Sequence, residues 1–516
     1  MSSNTATLTI KPLKSALLSV YHKDGLEPLA RALHTHGVTL YSTGGTQTWL
    51  TSLGLPVVPV EDLTDYPSIF GGRVKTLHPK VFGGILQRRG YGPDAEQATQ
   101  YEIPEIDLVV VDLYPFEATV AAGGTPEEII EKIDIGGISL IRAGAKNHQD
   151  VAIVSSQSQY AEVLGWIESQ GGTTLANRRR LAAQAFSTSS HYDTAIFNYF
   201  NEAEGEPTFR ASQQGGRTLR YGENPHQRGW FYGQLDEMLT QLHGKELSYN
   251  NLVDIDAAIN LMAEFDASLA PAFAIIKHTN ACGVATGATL AQAYVRAFEA
   301  DTISAFGGVL VSNSPIDLAT AEAMNTLFFE VLIAPSFSEE ALVVLKSKKN
   351  RILLQAKHYQ SQPKVFRSLL NGVLAMDADL HTDNTADLKV VTTTAPTAQQ
   401  VEDLLTASKI CKHTKSNTII LVRDGQLLAS GVGQTSRVDA LRQAIDKAKA
   451  FGFDLAGAAM ASDAFFPFPD CVQIAHEAGI AAIIQPGGSI KDQDSIDYCN
   501  SVGLPMVVTG FRHFKH

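Results

Sequence analysis

The residues best suited to chemistry in this chain sit in short glycine-bearing runs, and many of them are cations. Gly71-Gly72-Arg73-Val74-Lys75-Thr76 sets two positive side chains two positions apart. If that run is extended, Arg73 and Lys75 share a face and make a phosphate or oxyanion clamp. A solvated basic edge would have the same composition. Ser42-Thr43-Gly44-Gly45-Thr46 follows an apolar run and opens a helical pattern. Glycine there lets backbone N–H groups approach a ligand, and the helix start adds positive potential; an ordinary strand-to-helix turn reads the same way. Asp134-Ile135-Gly136-Gly137 repeats the arrangement with an acid at its mouth, Lys146-Asn147 lies just past the helix it opens, and Tyr114-Pro115 ends the run DLVVVDLY. Lysine, tyrosine and aspartate at element ends suit a site that moves protons around a carbonyl.

The second half carries another set. Arg220-Tyr221 joins a cation to an aromatic ring in a turn-rich segment. Lys277-His278-Thr279-Asn280 ends an apolar strand, so Lys277 and His278 reach one substrate only if the chain bends between them. Asn280-Ala281-Cys282-Gly283 reads as the turn that follows. In Asp463-Ala464-Phe465-Phe466-Pro467-Phe468 the phenylalanines could form a slot for a flat heterocycle or the end of a core strand. Asp470, with Gln473 three residues on, reads as a helix N-cap. The basic run 346–351 reads as a solvated face, and 336–362 as a sub-boundary.

The elements that must position these residues alternate between apolar runs and helical patterns, the signature of an α/β fold. Strands are expected at 16–20, 38–43, 107–114 and 151–155. Asp24 could cap the helix after the first and Gly37 could end it, while Thr125-Pro126-Glu127-Glu128 is a capping box. Residues 175–200 read as one helix. Periodicity then fails over 202–216, which marks a linker between a domain at 1–201 and a region at 217–516, with parts near 217–345 and 363–516. That region repeats the rhythm: strands at 273–277, 308–312, 481–485 and 505–509, and helices at 290–300, 397–412 and 437–450. A hairpin is expected about Asp424-Gly425. No short internal repeat is visible.

Composition narrows the classes. The 516 residues suit about three folding units. Lys and Arg total 41 against 54 Asp and Glu, a net charge of −13, which argues against a nucleic-acid partner but not against a small phosphorylated ligand. No run of 18 apolar residues suggests a membrane span, and the opening MSSNTATLTIKPLKS lacks the apolar core of a secretory signal. The expectation is a cytoplasmic enzyme. Cys282, Cys411, Cys471 and Cys499 show no C-x-x-C spacing, so no metal is expected and the thiols read as core residues.

GGRVKTLHP, DLYPF and IDIGGISLIRAGAKN, in this order, resemble the IMP cyclohydrolase domain, a relative of methylglyoxal synthase-like folds. LRYGENPHQ, IIKHTNACG, SAFGG, GVGQTSR, SDAFFPFPD and PGGS resemble the transformylase that acts on aminoimidazole carboxamide ribonucleotide (AICAR). The chain is thus similar to the bifunctional family that formylates AICAR and closes the product (FAICAR) to IMP. The resemblance implies a methylglyoxal synthase-like parallel domain followed by two cytidine deaminase-like α/β subdomains. It implies AICAR, FAICAR and 10-formyltetrahydrofolate as substrates, no tightly bound cofactor, and a homodimer.

By position, the resemblance implies a nucleotide site from Tyr21, His22, Lys23, Thr43, Gly44, Gly45, Thr46, Arg73, Val74, Thr76, Val111, Asp112 and Ile135. Lys146 would be the proton donor and acceptor, assisted by Lys75, Tyr114 and Asp134. In the transformylase, His278 would be the general base beside Lys277, and Asn417 would hold the formyl oxygen or carboxamide. Arg220, Tyr221, Gly307, Glu330, Arg437, Val438 and Arg512 would bind nucleotide, and Phe465 its heterocycle. Asp470, Ser489, Ile490 and Phe514 would line the site. The chain departs from the family by reading Tyr21-His22 where Ser-Asp is common, Asp112 for Asn, and Ala281 for Pro. Two other readings compete. A phosphate-sensing module needs cations but no proton-moving set, and a zinc deaminase needs the metal spacing that is missing here.

Overall fold

The computed structural model describes residues 9–359 and 362–516 and divides into two compact units, Met1–Gln213 and Gln214–His516. Residues 1–8 of the stretch read for a signal, and 360–361 of the expected sub-boundary, lie outside the described residues.

The first unit is a five-stranded parallel sheet of β1 (Ser15–Val20), β2 (Thr39–Ser42), β3 (Val58–Pro59), β4 (Leu108–Asp112) and β5 (Ala152–Val154), in the order β3-β2-β1-β4-β5. SALLSV, LVVVD and AIV are apolar on both faces because helices cover both sides of the sheet. Strand order reverses between β1 and β4, so a crevice opens beyond Val20 and Asp112. The helix after β1, α1 (Leu26–Thr35), buries Leu26, Leu29, Ala30 and Leu33. It starts from Gly25 at φ 72° with no side-chain cap, so Asp24 does not cap it; Gly37 at φ 75° follows its end. The Thr125 capping box is present. Three further helices matter below: α2 (Gly44–Ser52), α3 (Gly136–Lys146) and the long α4 (Leu175–Glu204). The last runs three residues into 202–216, because Glu-Ala-Glu continues a helix and Gly205 at φ 67° ends it.

The second unit is built on one twelve-stranded sheet. Its first half comprises β6 (Leu239–His243), α5 (Tyr249–Met262), β7 (Ala272–Lys277), β8 (Asn280–Thr286), α6 (Leu290–Glu299), β9 (Val309–Ser312), β10 (Val331–Ala334) and β11 (Ile352–Ala356). The second half comprises β12 (Lys389–Val390), α7 (Ala398–Lys412), β13 (Ile419–Arg423), β14 (Gln426–Gly431), α8 (Arg437–Ala450), β15 (Ala459–Ser462), α9 (Asp470–Glu477), β16 (Ala482–Gln485) and β17 (Met506–Val508). From the centre outward the orders are β8-β7-β9-β10-β11-β6 and β14-β13-β15-β16-β17-β12. The halves therefore repeat one topology and meet where β8 pairs with β14 through Ala285 and Gln426. A single apolar cluster on one face joins Ile255 and Ala258 of α5 to Leu404 and Ile410 of α7.

Several sequence expectations change here. Asn280–Gly283 is not a turn: it opens β8, and the turn is His278-Thr279, at φ 51° and 64°. Asp424-Gly425, at φ 53° and 70°, makes the matching hairpin of the second half. Arg351 is no part of a solvated face: it is buried, its guanidinium on Asn325 Oδ1 at 3.0 Å and over the Phe329 ring. The strand β11 that follows it was unforeseen, because five mostly apolar residues carry no period of their own. Asp470 is the first residue of α9, and Pro469 takes the cap position.

Two glycines let helices lie against the central strands. A Cβ on Gly283 would sit 1.9 Å from the Ala297 carbonyl oxygen, and one on Gly431 1.8 Å from that of Ala440. Gly431→Ala is expected to lower unfolding stability by about 1–3 kcal/mol through overpacking. Gly372→Ala, where nothing lies within 4 Å, is the control. Urea unfolding of the two variants checks this, and equal midpoints would refute it.

Candidate active sites

In the first unit, a cavity of about 760 Å³ opens at the carboxyl ends of β1, β2 and β4. Two helices present their N-termini there: Gly45 and Thr46 of α2, and Gly136 and Gly137 of α3, line it. Their first amides have no helical acceptor, so the cavity is electropositive before any side chain is counted. Lys23, Arg73, Lys75 and Lys132 add four cations. The Arg73 segment is a turn rather than a strand, with Gly71 and Gly72 at φ 66° and 93°, yet both cations reach the cavity. Arg73 pairs with Glu131. The Lys75 ammonium passes over the start of α2, 3.1 Å from where a Gly44 Cβ would lie.

Lys23 Nζ donates to Val20 O at 3.0 Å and Tyr21 O at 2.6 Å; burial lowers its pKa, against Asp112, with Lys75 adding to the fall. Burial also raises the Asp134 carboxyl, opposed by the Gly137 and Tyr114 amides and by Lys75. The Tyr114 hydroxyl is raised by burial and by Asp134. A carboxyl and a phenol displaced upward beside cations form a set able to pass protons at a carbonyl.

The placement of the remaining expected residues is mixed. Tyr21, Thr43, Thr76, Asp112 and Ile135 line the cavity. Thr46 spends its hydroxyl on the Val20 backbone and Thr43 on Glu61. Val74 is held by bridge pairing with Ile69. Val111 is a correction: it is 1% exposed in the core and offers a ligand no side chain. His22 turns to Asp112, whose Oδ2 lies 2.8 Å from both its amide and its Nδ1. Lys146 stands apart from these residues. It ends the eleven-residue α3 whose other end lines the cavity, about 15 Å away at 1.5 Å per residue, and it is not on the cavity wall.

In the second unit the His278-Thr279 turn supplies the required bend. Asp254 holds it by accepting the Thr279 amide at 2.8 Å; burial raises the Asp254 carboxyl, opposed by that amide and by His278. Lys277 Nζ donates to Phe306 O at 2.6 Å, beside Gly307, whose amide donates to Phe328 O. Asn280 ties the turn to the second half by accepting the Lys415 amide at 3.0 Å.

There Asn417 donates to Gln434 O at 2.9 Å and accepts from Arg437 at 2.8 Å. Arg437 is largely spent inside the protein, on Asn417, Asp463 Oδ1 at 2.8 Å and Phe465 O at 3.2 Å. These bonds position Asn417 and Phe465, and Val438 packs against the core. Glu330 pairs with Lys245 at 2.5 Å. Arg220 donates to its neighbour Tyr221 at 2.8 Å. Asp470 and Ser489 bond within their own turns, and Ile490 is fully exposed. The tail bearing Arg512 and Phe514, itself a cation–ring pair at 4.5 Å, runs beside the site. His513 N donates to Asp463 O, and Lys515 pairs with Ser416.

Family models match the chain twice: an MGS-like domain over residues 25–139, and the AICARFT/IMPCHase bienzyme over residues 144–447. The chain belongs to the AICARFT/IMPCHase bienzyme family. It is 59% identical over 507 residues to the bifunctional purine biosynthesis protein PurH of Bacteroides thetaiotaomicron, covering 98% of this chain and 99% of that one. The PurH proteins of Parvibaculum lavamentivorans (49%, covering 100% and 99%) and Bacillus subtilis (44%, covering 98% and 100%) are similar end to end.

Within this bienzyme, sequence reading missed Lys132, Asp254 and Asp463 as members of the sites. Lys132 stands two residues before Asp134 and Asp463 within SDAFF, so adjacency was the available signal; Asp254 had none. The tail is anchored by a buried polar group. His381, Asp383 and Asp387 lie within 4.8 Å of one another, and His513 bonds Asp379 at 2.6 Å and faces Asp383 at 3.4 Å. Burial alone would lower the His513 pKa, but these carboxylates push it up to about 9. A pKa raised in the folded state contributes stability that is complete below about pH 6.5 and lost as pH rises through about 9. The wild-type urea midpoint is therefore expected to fall more than that of His513→Gln across this window. Parallel curves would refute it.

Proposed function

We infer that the chain carries out the last two steps of IMP synthesis, with one reaction in each unit. As an AICARFT/IMPCHase bienzyme it transfers a formyl group to AICAR from a folate-derived donor, read here as 10-formyltetrahydrofolate, and closes FAICAR to IMP. The observation that carries the division is the meeting of Lys75, Tyr114 and Asp134 between two helix N-termini in one cavity. Ring closure needs that combination. The carboxamide nitrogen attacks the formyl carbon, cations stabilise the developing oxyanion, and nearby acids and bases move the protons that leave with water. Lys146, outside the cavity, has no part in this reading.

For formyl transfer, His278 takes the proton from the attacking amine and Lys277 lies beside it. Asn417 directs both amide hydrogens at the carbonyls of Gln434 and Thr435, at 2.9 and 3.4 Å. Its oxygen keeps a free lone pair beyond the Arg437 bond, which favours contact with the AICAR carboxamide N–H over the formyl oxygen. Neither step calls for a metal. Four free buried thiols support a cytoplasmic setting; among the described residues no helix is long and apolar enough to cross a membrane.

Asp134→Asn should cut conversion of supplied FAICAR to IMP by roughly 10²-fold or more, with folate release intact. His278→Ala should do the reverse. Equal loss of both reactions in either folded variant would sink the division. We also infer a homodimer with a shared transformylase site. Its residues run from Arg220 to Arg512, and Phe465, Phe514 and Ile490 are exposed in the single chain. Heterodimers of His278→Ala with Phe465→Ala chains should regain formyl transfer, and verified heterodimers that stay inactive would count against sharing.

A further inference from the structure

Lys132 lines the first cavity, against two tyrosines. Its ammonium is 5.0 Å from the Tyr21 ring centre, 6.0 Å from that of Tyr114 and 3.4 Å from the Tyr21 hydroxyl. The two rings meet edge to face at 5.3 Å. The backbone that carries Lys132 is set by a residue outside the cavity wall. Tyr192, buried on α4, donates its hydroxyl to Lys132 O at 2.5 Å and accepts the Asp134 amide at 2.8 Å. One side chain thus fixes the presentation of both Lys132 and the Asp134 carboxylate.

The groups facing Tyr114 are Asp134, Lys132 and Tyr21, with Lys75 acting on Asp134. Burial, Asp134 and Tyr21 hold the Tyr114 proton on, and Lys132 alone among these works to loosen it. A cation this near a phenol ring, as Lys132 stands to Tyr114, favours negative charge on that ring's oxygen. We propose that Lys132 is a positioning residue for ring closure, acting through the Tyr21–Tyr114 pair to make Tyr114 a proton donor, and that Tyr192 is the clamp that presents it. The proposal rests on the first cavity being the ring-closing site.

The step balances without a further reagent. The carboxamide nitrogen bonds to the formyl carbon, the carbonyl electron pair moves to oxygen, and that oxygen takes the Tyr114 proton. The nitrogen, now carrying an excess proton, returns one to the phenolate. The new hydroxyl then leaves as water with the proton of the formamide nitrogen, and Tyr114 ends as it began.

The test uses the full chain with supplied FAICAR, following IMP across pH, beside Asp134→Asn as the reference. Lys132→Met should lower kcat by about tenfold and leave KM within about threefold. Its alkaline limb should move to higher pH, because a donor that holds its proton more tightly stays protonated longer. Lys132→Arg should restore most of the rate, Tyr192→Phe should lower kcat with the same displacement of that limb, and formyl transfer should be unchanged throughout. If Asp134→Asn closes the ring normally, the cavity assignment itself is wrong. If Asp134→Asn is crippled but Lys132→Met keeps its kcat, or loses it with an unmoved pH profile and no rescue by arginine, the Lys132 proposal is overturned.

Discussion

The second unit depends on a narrow antiparallel join. Where β8 meets β14, the partnered register is Ala285 with Gln426, supported by the Thr286 amide on Gly425 O and the Gln426 side chain on Arg296 O. That join turns two half-sheets of the same topology into one and aligns their edges. The His278 turn of the first half and the Asn417 approach of the second then lie at the same edge, linked by Asn280 and Lys415. Each half alone would carry only part of the set. The close approach of helix to strand at Gly283 and Gly431 is the packing cost of this arrangement, since any Cβ there meets a backbone carbonyl.

Charge is handled differently in the two units. The first gathers four cations around an open cavity and relies on Glu131, Asp112 and Asp134 to offset them. Phosphate and carbonyl oxygens are the kinds of group that would complete that balance. The second unit sets several buried charges against partners inside the protein. Arg437 and Asp463 are almost fully covered, and Glu264, which burial alone would raise, is drawn down to about 2 by His413, Lys412 and Thr382. Such pairs hold geometry and leave little for a ligand. The consequence is that Arg437 orients Asn417, while Arg220 and Arg512 stay near the surface beside aromatic rings.

The departures at Tyr21, His22 and Asp112 make sense together in the structure. A histidine at 22 donates to the carboxylate at 112, so two unusual residues satisfy each other. Tyr21 in turn gives Lys132 an aromatic partner. Ala281 sits in β8 rather than in a turn, so the absence of proline there leaves a strand amide free to pair.

How much was legible in the sequence follows from the range of the forces involved. Strand and helix periods, the Thr125 capping box, the Asp424-Gly425 hairpin and the glycine turns depend on neighbours within a few residues, and these were readable, as were the motifs that carry the family resemblance. The pairing of Ala285 with Gln426, the burial of Arg351 and the bond from Arg437 to Asn417 depend on residues far apart in the chain. So does the distance of Lys146 from the cavity, which a helix pointing away from its own N-terminus enforces. Adjacency in a motif does not say which end of a helix faces the substrate; only the packing of that helix on its sheet decides it.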